Sequence, residues 1–287
     1  MADVVLVSPH LDDAALSCSG GITRLTRAGV STEVVTAFTA DQRLGEPLSP
    51  LASRAHAAWG VGDQPFAVRR VEDIAALQLL GVKVSHLGLL DAMYRRAESG
   101  VAFYTYFHSV PAADDVEHCL PRLTAALRDS AATTDSDTLV FCPAGTGSHV
   151  DHVLTRRAVE QLVDAERIIY YDEYPYSARP AASSTPEDVP DSWVQYKLAL
   201  SAEETELRVA AIGCYASQLR GLFPSGAERL REIASARVPL IGRWFVRPPN
   251  VHASRRRMAA RVIRDTSHLG GERYWLSPQC ASPFPKS

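Results

Sequence analysis

The sequence predicts an α/β protein with an open, mostly parallel sheet flanked by helices. Short apolar runs alternate with helix-period stretches over roughly the first 220 residues, and this alternation is typical of a parallel sheet. Two of the runs, Val4–Val7 and 138–143, each lead into a loop that carries His and Asp and then into a helical stretch. Parallel strands bring such loops to one edge of the sheet, where α/β folds bind ligands. A Rossmann-like architecture with chemistry at that edge is therefore expected.

The first loop reads Ser8-Pro9-His10-Leu11-Asp12-Asp13. Asp13 stands where a carboxylate can cap the start of the next helix. His10 and Asp13 can also converge on one cation, while Asp12 points past it. The alternative is a simple helix cap beside an incidental surface His.

The second loop contains His149-Val150-Asp151-His152. Two His and a carboxylate from adjacent corners make a three-ligand site with room for water, which is the form of a catalytic zinc site. Gly145-Thr146-Gly147 is not a phosphate loop, because it lacks the Lys and the full glycine spacing of such loops. These glycines are expected to let the loop turn tightly toward the first corner.

Together the two motifs resemble those of the LmbE-like, or PIG-L, family of zinc-dependent de-N-acetylases, which usually read P-H-P-D-D-E and H-x-D-H. The departures are Leu11 for Pro and Ala14 for Glu. Neither position is a metal ligand in the family, so they bear on the subfamily rather than on the metal. The resemblance covers roughly residues 3–220.

The resemblance implies a role for each motif residue. His10, Asp13 and His152 match the ligands of one Zn²⁺ per chain, for which another divalent metal such as Fe²⁺ could substitute. Asp12 matches the general base. His149 matches the residue that stabilises the oxyanion or protonates the leaving nitrogen, for which it should be cationic. Asp151 is placed to hydrogen-bond it, although a helix N-cap is an alternative role for Asp151.

Substrate contacts are expected on the other loops of the same edge. Asp91 matches a family position that binds substrate hydroxyls, and Arg43 follows the second predicted strand. Arg95 and Arg96 are compatible either with a solvated surface or with recognition of an acidic group. The aromatic-rich segment 100–110 is expected to cover the mouth of the site.

The chain has 287 residues, of which 46% are hydrophobic, enough for one large α/β domain. We expect a single deacetylase domain over 1–287, with a core at about 3–220 and an irregular C-terminal extension, 221–287, packing on it. Ser201-Ala202-Glu203-Glu204 is a capping box that opens a helix.

The charge and the cysteine content limit the possible partners and the cellular compartment of the protein. The net charge of −3 indicates no nucleic-acid partner, and Arg255-Arg256-Arg257 is interpreted as a solvated helix face. No apolar run is long enough to span a bilayer, and Met1-Ala2-Asp3 leads directly into the first strand, so no signal peptide is expected. Five Cys without a C-x-x-C pair favour a reduced, cytoplasmic protein. A homo-oligomer is compatible with the sequence.

The expected function is metal-dependent hydrolysis of an N-acyl group, above all N-acetyl, on an amino sugar or glycoconjugate. The Leu11 and Ala14 variants and the many Tyr suggest a branch of the family in secondary metabolism. An amidase acting on a non-sugar or thiol-conjugate amide is an alternative. A non-haem Fe(II) oxygenase with His10, Asp12 and a distant His as ligands is another, although that chemistry usually sits on an all-β jelly roll. The third alternative is a non-catalytic protein that binds a sugar or a metal.

Overall fold

The computed structural model describes residues 3–130, 136–178, 192–224, 251–280 and 282–284. Its strands are β1 (Val4–Ser8), β2 (Thr32–Thr36), β3 (Lys83–His86), β4 (Leu139–Pro143), β5 (Ile168–Tyr171), β6 (Val194–Leu198) and β7 (Glu272–Leu276). The described α-helices are α1 (Asp13–Arg27), α2 (Pro50–Trp59), α3 (Pro65–Leu79), α4 (Ala113–Asp129), α5 (Val150–Glu160), α6 (Ala202–Ile212), α7 (Leu219–Leu222) and α8 (Val251–Leu269).

The seven strands form one sheet in the order β3-β2-β1-β4-β5-β7-β6. The first five in this order are parallel, whereas β7 is antiparallel to both β5 and β6. The predicted open, mostly parallel α/β sheet is therefore confirmed. It is not the jelly roll on which the oxygenase alternative would depend.

The sheet is buried on both faces, as β1 illustrates. Val5 and Val7 belong to one hydrophobic cluster and Val4 and Leu6 to the other. Successive strand residues point to opposite faces, so a strand covered by helices on both sides needs an apolar residue at every position. This requirement explains the uninterrupted apolar run.

The described part of the C-terminal extension, which was expected to be irregular, contains a helix and a strand. Residues 251–269 form the long helix α8, and β7 lies inside the sheet, between β5 and β6. The aromatic side chains of Tyr274 and Trp275 are buried there. Among the described helices, none combines the length and the apolar character that crossing a membrane would require.

The predicted capping box at the start of α6 is confirmed. The Ser201 side chain accepts a hydrogen bond from the Glu204 backbone N–H, and the Glu204 carboxylate accepts one from the Ser201 N–H. These two bonds satisfy donors that the first turn of a helix leaves free.

Candidate active site

Both His/Asp corners lie at the carboxyl edge of the sheet. β1 and β4 are parallel neighbours, with Val4, Val5 and Leu6 opposite residues 139–141. The loops that follow them therefore emerge side by side. Strand order reverses at this pair, since β2 and β3 lie beyond β1 and β5 lies beyond β4. Such a switch point is where open α/β sheets form their ligand crevice.

The first corner is held by hydrogen bonds that differ from those expected. The Asp13 carboxylate does not cap α1. It accepts a hydrogen bond from the His10 backbone N–H at 2.9 Å, and the Ala14 N–H donates to Ser8 Oγ at 3.2 Å. Ser8 thus supplies an acceptor at the helix start and leaves Asp13 turned toward His10.

One carboxylate oxygen lies between two imidazoles. Asp13 Oδ2 is 3.1 Å from His10 Nδ1 and 3.2 Å from His152 Nε2. The other nitrogen of each ring contacts a second carboxylate: His10 Nε2 lies 3.0 Å from Asp151 Oδ2, and His152 Nδ1 lies 3.1 Å from Glu173 Oε1. Imidazole ligands of metals characteristically use their outer nitrogen in this way. The donor set therefore fits a divalent metal.

Two overlapping groups of side chains in the described chain have potential ligand atoms within 4.8 Å of one another, namely His10 with His149 and His152, and His10 with Asp91 and Asp151. All of these residues are buried. His10 belongs to both groups and is the centre of the cluster.

The carboxylates shift the pKa values of the two imidazoles that contact Asp13. Burial disfavours the imidazolium of His10, but hydrogen bonds to Asp13 and Asp151 outweigh it and raise its pKa well above the usual range. Burial opposes the charge of His152 as well, yet Asp13 and Glu173 raise its pKa to about 9. The surrounding carboxylates therefore favour a positive charge at this cluster, whether protons or a metal ion supplies it.

His149 is the N-cap of α5, and its Nδ1 accepts a hydrogen bond from the Asp151 backbone N–H at 3.2 Å. Burial, followed by the charges of His10 and His152, holds its pKa well below the usual range. The structure thus favours a neutral His149, whereas the sequence had suggested a cation. The proton of this neutral ring belongs on Nε2, because Nδ1 is an acceptor.

The Asp151 carboxylate does not make the expected contact with the His149 ring. Its Oδ1 lies 2.6 Å from Arg95 Nη1, and its Oδ2 accepts the Ala92 N–H at 2.9 Å and contacts His10. A fully buried carboxylate needs a charged partner, and Arg95 provides it. Asp151 is consequently a support for His10. Arg95, whose role the sequence left open, is buried and also forms an ion pair with Asp115.

Asp12 has a different environment from its neighbour Asp13. Its Oδ1 lies 3.6 Å from Arg69 Nη2. Burial raises the pKa of Asp12 to about 7, although the Arg69 charge lowers it. The Asp13 pKa is held well below its usual range, since the charges of His152 and His10 outweigh the effect of burial. The adjacent carboxylates therefore differ in their partners and in the direction in which their pKa values are shifted.

Two residues of the site, Arg69 and Glu173, were not predicted from the sequence. Arg69 projects from α3, where nothing in the local pattern distinguishes it from Arg70. Glu173 follows β5 and also accepts the backbone N–H groups of Gly145 and Thr146, at 2.8 and 3.0 Å. The signal for Glu173 was its position, because Asp172-Glu173 follows a buried strand as the two motifs do.

The two predicted substrate contacts lie in different places. Asp91 is buried in the pocket wall, with its Oδ2 3.5 Å from His10 Nε2 and its Oδ1 accepting the Met93 N–H. Arg43 is exposed on the loop after β2 and is not part of that wall. Only Asp91 is brought to the cluster.

The cluster opens into a cavity of about 160 Å³. Phe107 is the residue of the 100–110 segment that reaches its wall, and its ring stacks on His149 with centroids 5.1 Å apart. The remaining wall is partly apolar and partly polar, and includes Leu16, Trp59, Arg69, Tyr174, Pro175, Tyr176, Gln218, Gly221 and Leu222.

A Rossmann-like sheet with a buried His/Asp cluster at its switch point and a carboxylate beside that cluster is an arrangement that fits a divalent metal and a general base, the parts that metal-dependent hydrolases use. The chain belongs to the PIG-L family of GlcNAc-PI de-N-acetylases, whose profile matches residues 5–163. It is accordingly an N-deacetylase, which hydrolyses an amide C–N bond.

Relatives of known sequence and structure agree with this family. The chain is 30% identical over 239 residues to 2'-N-acetylparomamine deacetylase of Niallia circulans, covering 78% of this chain and 83% of the relative. It is 33% identical over 179 residues to the Streptomyces fradiae enzyme of the same name, covering 61% and 58%. The zinc-inhibited form of teicoplanin deacetylase superposes with a TM-score of 0.69 at 25% identity, covering 95% of this chain and 96% of the other. A40926 pseudoaglycone deacetylase superposes with a TM-score of 0.60 at 25% identity, covering 98% of this chain and 99% of the other.

Proposed function

We propose that this protein removes the N-acetyl group from an amino sugar of a secondary-metabolite glycoside in a zinc-dependent hydrolysis. The observation that carries the proposal is the position of Asp13 Oδ2 between His10 Nδ1 and His152 Nε2, with the outer nitrogen of each ring on a buried carboxylate. Its relatives, which are 2'-N-acetylparomamine, teicoplanin and A40926 pseudoaglycone deacetylases, support the substrate class.

His10, Asp13 and His152 would hold one Zn²⁺, or Fe²⁺ in its place. When bound, such a metal polarises the scissile carbonyl and lowers the pKa of water toward neutrality. Asp151 and Glu173 orient the two imidazoles by occupying their outer nitrogens. Arg95 keeps Asp151 ionised in a buried environment.

Asp12 acts as the general base. It is adjacent in the chain to the proposed ligand Asp13, yet its partner is Arg69. Its carboxylate is therefore not paired with the imidazoles of His10 and His152. A base whose pKa is near the working pH transfers protons efficiently, and burial raises the pKa of Asp12 to about 7. It accepts a proton from the attacking water and returns one to the leaving amine.

His149 stabilises the negative charge that develops on the carbonyl oxygen. Because the ring is neutral and carries its proton on Nε2, it stabilises this oxygen by donating a hydrogen bond and not by a full positive charge. Its ring centroid lies 4.7 Å from that of His10 and 4.9 Å from that of His152. The stacked Phe107 ring limits its rotation.

Asp91 accepts hydrogen bonds from hydroxyls of the sugar, because its buried carboxylate faces the cavity next to His10. Arg43 lies outside the cavity wall, so it would contact only a part of the substrate that extends beyond the pocket. We also propose that the reaction takes place in the cytoplasm, where cysteines that form no disulfide, as in this chain, are stable as thiols.

The test is the release of acetate and free amine by the zinc-loaded protein. The panel comprises 2'-N-acetylparomamine, N-acetylglucosamine, an N-acetylglucosaminyl glycopeptide and an N-acetylated thiol conjugate. We expect release from at least one of the sugar substrates and none from the thiol conjugate. Release from the thiol conjugate alone would favour the amidase alternative, and release from none of the four would contradict the proposal.

A further inference from the structure

The segment between α6 and α7 is attached to α3 by two carboxylates. The Tyr215 hydroxyl donates to Asp73 Oδ1 at 2.7 Å. The Ser217 backbone N–H and side-chain hydroxyl both donate to Glu72, at 2.9 and 2.6 Å. These bonds join residues more than 140 positions apart in the sequence, and they fix the backbone that carries Gln218 into the pocket wall.

This attachment also decides which way the Gln218 amide faces. A serine hydroxyl has one proton, and that of Ser217 is donated to Glu72. The Ser217 oxygen can therefore only accept from Gln218, whose Nε2 lies 2.8 Å away. The nitrogen end of the amide is thus bound to Ser217, and the oxygen end is left to face the cavity.

Gln218 is 6% exposed and belongs to the cavity wall. Within the described residues, no group donates a hydrogen bond to its Oε1. The oxygen itself is not sealed off from the cavity, so a ligand in the cavity can supply the missing donor. The side chain is therefore ready to bind a ligand.

We propose that Gln218 Oε1 accepts a hydrogen bond from a hydroxyl of the N-acetylated sugar ring and makes the enzyme specific for a sugar that carries that hydroxyl. This inference rests on the proposed function, because it concerns the same pocket. A carbonyl oxygen can only accept, so it discriminates against a ring that lacks a donor at this position. Ser217 and Glu72 are positioning residues, since they set the direction of the amide and reach the substrate only through it.

The experiment pairs a protein change with a substrate change. We would measure kcat/KM for N-acetylglucosamine and for its 3-, 4- and 6-deoxy analogues with the zinc-loaded parent and with Gln218→Met, which keeps the length of the side chain and removes the acceptor. Loss of one uncharged hydrogen bond corresponds to about a tenfold decrease. We expect that decrease with N-acetylglucosamine and with two of the analogues, and no decrease with the third.

Two variants complete the design. Gln78→Met changes the same residue type at an exposed position of α3 and should match the parent throughout. Glu72→Gln can donate to Ser217 and so disturbs the direction of the Gln218 amide. We expect Glu72→Gln to lower kcat/KM less than Gln218→Met does, mainly by raising KM. This decrease should disappear with the same deoxy analogue.

An equal loss with every analogue would show that Gln218 has only a structural role, and no loss with any would show that it makes no contact; either result overturns the inference. If the parent releases no acetate from these sugars, that result counts against the proposed function. The same cycle can then be measured as binding isotherms of the four sugars, in which cancellation for one analogue would still support the Gln218 contact and its absence would overturn it.

Discussion

At the scale of single residues, the main finding is that two adjacent carboxylates have different partners. Asp13 lies between His10 and His152, whereas Asp12 pairs with Arg69. The pKa of Asp13 is lowered and that of Asp12 is raised to about 7. One is therefore suited to hold a cation and the other to accept a proton.

Substitutions in this pair should separate metal binding from proton transfer. Asp13→Ala should lose both zinc and activity. Asp12→Asn should keep its zinc and lose about 10²- to 10⁴-fold in kcat, because it removes the base and leaves the ligands in place. Metal analysis and steady-state kinetics on the two proteins decide the matter. An Asp12→Asn protein without zinc, or one as active as the parent, would refute these roles.

Metal binding should release protons. His10 and His152 must lose their protons to act as ligands, and in the metal-free protein the pKa of His152 is about 9. Zinc affinity should therefore increase as the pH rises toward 9, and calorimetric heats of binding should depend on the ionisation enthalpy of the buffer. Identical heats in different buffers would contradict the raised pKa values.

The same shift affects the stability of the metal-free protein. Because the folded pKa of His152 is above that of an unfolded His, its contribution to stability is complete below about pH 6.5. That contribution is lost as the pH rises through about 9. Urea titrations of the metal-free protein across this interval would measure the loss.

The carboxylate on the outer nitrogen of His152 should tune the metal affinity. Glu173→Gln leaves the shape of the side chain nearly unchanged and removes the charge that faces this ring. Losing such a support typically weakens metal binding about 10- to 100-fold. Competition with a chelator gives the Kd. Glu166→Gln, at an exposed position, is the control and should not change it.

At the scale of elements, helix α1 packs closely against β7. The backbone N–H groups of Gly20 and Gly21 each donate to the Glu272 carboxylate at 2.8 Å. A Cβ atom on Gly21 would lie 2.5 Å from the Tyr274 hydroxyl and 2.9 Å from a ring carbon of Phe284. The paired glycines in this helix therefore allow its close approach to the sheet.

Gly21→Ala should lower the free energy of unfolding by about 1–3 kcal/mol, which is the usual cost of overpacking a core. Gly221→Ala is the control, because a Cβ on Gly221 meets no atom within 4 Å. Urea denaturation of both variants measures the difference. Equal stabilities would show that the contact with β7 relaxes easily.

At the scale of the whole molecule, Glu272 joins segments that are distant in the chain. Its carboxylate contacts α1 and lies 2.8 Å from Arg208 of α6. The side chains of Glu272 and Arg208 are both almost fully buried. Removing one partner of a buried ion pair leaves an uncompensated charge. The last strand of the sheet is thereby tied to the helix that follows the first motif.

Glu272→Ala should therefore destabilise the protein by about 3–5 kcal/mol. The matched control is Glu203→Ala, which removes the exposed pair with Arg27 and should have no measurable effect. Thermal and urea unfolding would compare the two. Similar small effects for both variants would show that the buried pair does not support the fold.

The sequence alone predicts the strands that carry the two corners of the site, the corners themselves and the identity of the central residues. These are local properties: a strand buried on both faces needs a continuous apolar run, and His and Asp directly after such a strand lie at the carboxyl edge of a parallel sheet. His10, Asp12, Asp13, His149 and His152 lie together as those two rules require.

The partner of each of these residues depends on the tertiary structure. Arg69, Arg95, Glu173 and Gln218 come from four other segments, and no local pattern specifies their distance from the motifs. The partner of Asp151 is Arg95 rather than His149, because a buried carboxylate is stabilised best by a charged group that the fold brings near it. The place of β7 between β5 and β6 likewise depends on packing across the whole chain, since the pairing of distant strands is a non-local interaction.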